Sequence, residues 1–190
     1  GTLGLPATVE RTHVGFMGCH GALNGMRVAR ALAEADPRSR VLLCAVELCS
    51  IHYQYEAVSD LTVANALFAD GAAATVIGVA GGPDAHPEDW TLAATGTCLM
   101  PESRDAMSWR IGDHGFAMTL SPRVPLLIEE HLRPWLERWL GGGGLAPEDV
   151  ASWAVHPGGP RVLGAIERTL KLEPAALAVS RQVLAECGNM

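Results

Sequence analysis

Residues 41–46 read VLLCAV, six apolar side chains with no polar one among them, and AATVIGVA at 73–80 has much the same character. Runs this short fall within the length of a strand and below that of most helices. Without polar alternation, they predict strands covered on both faces, as in a sheet sandwiched between helices. The residues from His20 onward follow a different period. Asn24, Arg27, Arg30 and Glu34 fall on one helical face and Ala22, Met26, Ala29 and Ala33 on another, until Asp36-Pro37 ends the helix. Strands alternating with helices predict an α/β fold with mixed sheets.

The same reading extends along the chain. HVGFMG (13–18) reads as a short buried strand that runs straight into the His20 helix, with Cys19 at the junction. Gly81-Gly82-Pro83 and the polar stretch to Trp90 form an internal boundary between 1–80 and 81–190, after which TLAATGTCL (91–99) begins a second series of elements. Ser121-Pro122 offers an N-cap with proline at the first helical position, and Val124, Leu127, Ile128, Trp135 and Trp139 form a stripe that Pro134 should kink before Gly141. ASWAVH (151–156) reads as a strand entering His-Pro-Gly-Gly-Pro. A helix follows from Pro160 to about Leu170, and a last helix ends at Gly188. The Gly141–Gly144 run lacks a Lys-Ser/Thr partner and follows a helix, so it reads as a flexible connector rather than a phosphate cradle.

Composition narrows the function. With 48% apolar and 18% charged residues the chain can build a core, and a net charge of −7 opposes sequence-independent binding to nucleic acid. No apolar stretch reaches the ~18 residues of a spanning helix, and GTLGLPATVER lacks a signal-peptide layout, so the expected home is the cytoplasm. The cysteines at 19, 44, 49, 98 and 187 form no CxxC pair, which indicates neither a disulfide framework nor a zinc site.

Three residues could carry chemistry. Cys19, at a strand-to-helix junction, would face unpaired amides and the positive helix end, both of which favour thiolate; a buried small apolar residue is the other reading. His156 enters a loop of two glycines between prolines, open to substrate, or is a packed core histidine. Asn189 follows Gly188 at a helix end, where asparagine also serves as a terminator. Taken together they supply a nucleophile and two hydrogen-bond donors.

The segments GCHGALNGMRVARAL (18–32), RVLLCAVELCS (40–50), NALFADGAAATVIG (65–78), SWRIGDHGFAMTL (108–120), WAVHPGGPRVL (153–163) and SRQVLAECGNM (180–190) resemble successive blocks of bacterial type III polyketide synthases, chalcone-synthase-like enzymes of the thiolase superfamily. The pairing of HPGGP with GNM is the most specific part. The resemblance implies a layered αβαβα thiolase fold and iterative decarboxylative condensation of malonyl-CoA onto an acyl-CoA starter. Cys19 would hold the acyl chain, and His156 and Asn189 would hold the malonyl thioester oxygen. It further implies a homodimer, CoA thioesters as substrates, and no metal or other cofactor.

By the same resemblance Phe68 and Met118 match the two gate positions between CoA tunnel and cavity. Glu47, Cys49 and His52 fall at cavity-lining positions, and Gly158, Gly159 and Pro160 beside the substrate. Cys49 and Met118 suggest a fatty acyl starter and an alkylpyrone or alkylresorcinol product, with a chalcone-like product as the aromatic counterpart. His20 departs from the small or aromatic residues of relatives, and reads as an exposed first-turn residue or a catalytic helper.

Family members are about twice this length, so the chain is expected to be an incomplete copy at both ends, inactive and poorly soluble alone. Other readings stay open. One is another thiolase-fold condensing enzyme, such as a hydroxymethylglutaryl-CoA synthase or an elongation synthase. A papain-like Cys-His-Asn hydrolase is a second, although its usual signature around the cysteine is absent. A non-catalytic fragment acting by association is the third.

Overall fold

The computed structural model describes residues 2–53, 55, 59–82, 85–113 and 115–190, the side chains of 59–61 excepted. Pro83, in the expected boundary, lies outside the described residues. The chain forms two compact units, Gly1–Ala45 with Ala74–Thr95, and Val46–Ala73 with Gly96–Met190.

In the first unit helix α1 (Gly21–Ala35) buries Gly25, Ala29 and Ala33, a stripe of small residues at i, i+4, i+8. That lets the helix approach strand β1 (Val41–Glu47) closely, since a Cβ at Gly25 would lie 2.7 Å from Leu43 Cδ1. The buried line is thus displaced from the expected one, and Ala22 is exposed. α1 ends at Asp36, as Asp36-Pro37 predicts. β1 pairs with β2 (Gly71–Ile77) in a two-stranded sheet.

Cover on both faces is not observed. Along β1, Val41, Leu43 and Ala45 are half-buried while Leu42, Cys44 and Val46 are exposed, and β2 is open along most of its length. Leu43 meets α1 on one face; the alternate residues of β1 remain exposed on the other. Residues 13–18 form no strand and include no buried residue. Phe16 and Gly18 take φ of 59° and 58°, which breaks an extended run.

The second unit begins with a short 3-10 turn, Cys49–His52, and helix α2 (Ser59–Leu67). Residues 91–99 contribute no strand or helix, and Leu99 is exposed. Extended chain becomes a strand only beside a partner, and the next segment to have one is β3 (Met107–Gly112), antiparallel to β4 (Gly115–Leu120) with Trp109 opposite Met118 and Ile111 opposite Phe116.

Ser121 does not cap a helix. Its carbonyl and hydroxyl accept from the N–H groups of Val124 and Arg123, a turn that delays α3 to Val124–Gly141 with Pro125 in its first turn. α3 continues through Pro134 and buries Leu127 and Leu136. The glycines after it make no cradle: the N–H groups of residues 142–145 all return to carbonyls of 138–141. α4 (Pro160–Leu170) packs on α3 and buries Leu163, Ala165 and Leu170, with Arg168 of α4 paired to Glu129 of α3. α5 (Ala178–Cys187) ends at Gly188 as expected. Residues 151–156 are irregular rather than a strand, and the Val155 N–H goes to Ser180 Oγ of α5 at 3.2 Å in place of a strand neighbour.

Candidate active site

In the first unit Cys19 lies in a 3-10 turn, Gly18–His20, that leads directly into α1. The two positive-φ residues Phe16 and Gly18 turn the chain sharply just before it. Cys19 is exposed, against the reading of a buried apolar residue, and His20 beside it is exposed too. None of the five cysteines forms a disulfide.

The second unit gathers the remaining candidates. His156 is held from both sides in sequence: Val155 is tied to Ser180, and the Gly158 N–H returns to the His156 carbonyl at 2.9 Å, a tight turn about Pro157. Gly159 then caps α4 at φ 144°, and Pro160 takes the first turn, where its missing N–H costs nothing.

Asn189 is 2% exposed, and its main chain is locked. Its N–H donates to Leu67 O at 2.9 Å and its carbonyl accepts from Ala69 N at 2.8 Å, a parallel bridge with Phe68. Gly188 makes the approach possible, because at its φ of 83° a Cβ would lie 2.9 Å from Ala69 Cβ. The Asn189 side-chain amide donates to Gly158 O at 3.4 Å, so Asn189 and the His156 loop meet although 33 positions separate the two residues (189 − 156).

Burial pushes the His156 imidazole below its ordinary pKa, while the Glu47 carboxylate and the Asn189 amide pull it up. Among the described residues its Nε2 is buried and meets no partner in good hydrogen-bond geometry. Glu47 Oε1 also accepts from Cys49 Sγ at 3.4 Å. Of these groups the His156 imidazole and the Asn189 amide are the donors that can hold and polarise an oxygen brought to Nε2.

Next to Asn189's bridge partner lies a cavity of about 200 Å³ whose walls include Cys49, His52, Phe68 and Met118. Two further wall residues, Trp109 and Phe116, did not stand out in the sequence. They meet His52 edge-to-face at 6.3 and 5.1 Å between ring centroids. The signal for Phe116 was present: it stands two residues before Met118 on the same face of β4. Among the described residues no three His, Cys, Asp or Glu side chains cluster as metal ligands would, and no helix is long and apolar enough to cross a membrane.

Comparison with known proteins bears on both units. Residues 1–81 match the N-terminal domain of the chalcone and stilbene synthases and residues 91–190 match their C-terminal domain. Among curated relatives, 1,3,6,8-tetrahydroxynaphthalene synthase of Streptomyces peucetius is 37% identical over 99% of this chain and 50% of its own length. Type III polyketide synthase B of Arabidopsis thaliana is 36% identical over 98% and 49%. Among solved structures, PKS-I of the brown alga Ectocarpus siliculosus superposes with a TM-score of 0.95 at 34% identity, over all of this chain and 50% of its own. The 1,3,6,8-tetrahydroxynaphthalene synthase of Streptomyces coelicolor superposes at 0.88 and 30%, over 98% and 52%. The chain spans about half the length of the curated relatives it matches.

Proposed function

Since the chain belongs to the chalcone and stilbene synthase family and has the α/β fold of the type III polyketide synthases it superposes on, we propose that it carries the reacting residues of such a synthase. The Cys19 thiolate attacks the thioester carbonyl of a starter acyl-CoA, and CoA leaves as a thiol after taking a proton. Malonyl-CoA then loses carbon dioxide, and the negative charge arriving on its thioester oxygen is held by donors from His156 and Asn189. The enolate carbon attacks the acyl-Cys19 carbonyl, expels the thiolate and leaves a β-ketoacyl-CoA one extension longer. Reloading onto Cys19 makes the cycle iterative.

The observation that supports this reading best is the convergence of a buried, main-chain-locked Asn189 with the His156 loop, beside a cavity walled by Phe68 and Met118. A donor pair for an oxyanion gains from such rigidity, since nothing has to reorganise as charge develops. The reading includes CoA thioesters as the small-molecule partners, no resident cofactor and a homodimer, on the strength of family membership, together with the cytoplasmic home expected from the sequence.

The test uses the protein made from its complete reading frame, with radiolabelled malonyl-CoA and a panel of acyl-CoA starters. Several condensations per starter are expected. Cys19→Ala should abolish the acyl-enzyme and all product while leaving malonyl-CoA decarboxylation measurable, and Asn189→Ala should cut decarboxylation by about a hundredfold. Loss of decarboxylation in Cys19→Ala with retention in Asn189→Ala would reverse the assigned roles. Turnover with aromatic acyl-CoAs alone would exclude a fatty acyl starter.

A further inference from the structure

The short segment Phe68-Ala69-Asp70 is tied to two different parts of the second unit. Through its main chain it holds Asn189, by the Phe68 bridge and the Ala69 N–H. Through the Asp70 carboxylate it holds the turn Cys49–His52: Oδ1 accepts the Ser50 N–H at 2.7 Å and Oδ2 accepts the Ser50 hydroxyl at 2.6 Å. Both carboxylate oxygens are engaged by one residue of that turn, which fixes its rotation as well as its distance.

Within its own main chain the turn is weakly held. It contains four residues, its N-cap Leu48 supplies no side-chain hydrogen bond, and its main-chain bonds, from the Ile51 N–H to Leu48 O and from the Tyr53 N–H to Ser50 O, are both 3.4 Å long. Yet it carries three wall residues of the cavity, Cys49, Ser50 and His52, and Asp70 lines the same cavity beside them. A wall built on a weak turn keeps its shape only if something external pins it.

We infer that Asp70 is a positioning residue that, by clamping Ser50, registers the Cys49–His52 wall of the cavity against the Asn189 amide and so sets which acyl chains the cavity accepts. The inference rests on the polyketide synthase reading of this site, but the clamp itself is independent of it. With the carboxylate gone, Ser50 loses both of its bonds to Asp70, the wall is left to the Cys49–Glu47 bond and the packing of His52 on Trp109 and Phe116, and the acyl chain is held less tightly while Asn189 keeps its own main-chain bonds. Asparagine at position 70 can still accept from the Ser50 N–H and donate to the hydroxyl oxygen, so Asp70→Asn should restore the geometry that Asp70→Ala loses.

Two measurements on the complete protein test this. In the first, starter KM should rise about tenfold in Asp70→Ala with a broader spread of product chain lengths, an effect at least about fivefold larger than that on malonyl-CoA decarboxylation, while Ser50→Ala shows a smaller change in the same direction and Asp70→Asn stays near the parent. In the second, iodoacetamide labelling of the Cys49 peptide is followed by mass spectrometry. It should be several-fold faster in Asp70→Ala than in the parent and slow again in Asp70→Asn.

Accelerated labelling in a protein that turns over no malonyl-CoA would keep the clamp and sink the polyketide reading. An unchanged labelling rate in a folded Asp70→Ala, or an Asp70→Asn variant that behaves like Asp70→Ala, would overturn the clamp whatever the activity. Starter KM and decarboxylation falling off in equal proportion would overturn its role in acyl selection.

Discussion

His156 titrates under three influences, and their order makes a prediction. Burial lowers its pKa and dominates; Glu47 and Asn189 oppose it. The imidazole should therefore titrate below its ordinary value of about 6.5, and Glu47→Gln, which removes an attraction for the cation, should lower it further. The unfolded chain then binds a proton more readily than the folded one just below pH ~6.5, so the contribution of neutral His156 to stability is complete above that pH and is lost as pH falls through the folded value. NMR titration of the imidazole checks both statements, and a midpoint at or above about 6.5 in the parent would contradict them. Histidine and asparagine were visible as candidates from their neighbours, HPGGP and GNM. Their meeting, and Glu47's influence on the imidazole, depend on contacts over tens to more than a hundred positions that no local pattern encodes.

Among the elements, glycine at a helix end shows how position decides the sign of a substitution. Gly141 lies at the end of α3 with nothing within 4 Å of a built Cβ, so Gly141→Ala should be neutral or stabilise by up to about 1 kcal/mol. Gly188 lies at the end of α5 with φ 83° and Ala69 in the way, so Gly188→Ala should cost about 2–3 kcal/mol and disturb the Asn189 bridge. Chemical denaturation of the two variants beside the parent reads this contrast; equal midpoints would refute it. Helices were the legible elements: α1, α4 and α5 end at or within a residue of where Asp36-Pro37, Leu170 and Gly188 predict. Strands were less so. Residues 13–18, 91–99 and 151–156 have strand-like composition and form none, because a helix satisfies its backbone within itself and a strand needs a neighbour.

Over the whole molecule, the sheet of β1 and β2 leaves Leu42, Val46 and Val76 exposed, and Trp90 and Leu99 are almost fully open elsewhere. Apolar faces and unpaired strand edges of this kind favour association. The 190 residues expressed alone should therefore elute as oligomers or aggregates in size-exclusion chromatography with light scattering, and a monodisperse monomer would refute this. The sequence by itself determined the α/β class, the helix ends and the family blocks, since these follow from local spacing and from residues adjacent in the chain. Only the tertiary structure decided which apolar runs become strands, which faces stay open, that Trp109 and Phe116 wall the cavity, and that Asp70 reaches Ser50 while its neighbours hold Asn189. Each of those depends on segments distant in the chain coming within hydrogen-bond or van der Waals reach, and such proximity is a property of the folded backbone.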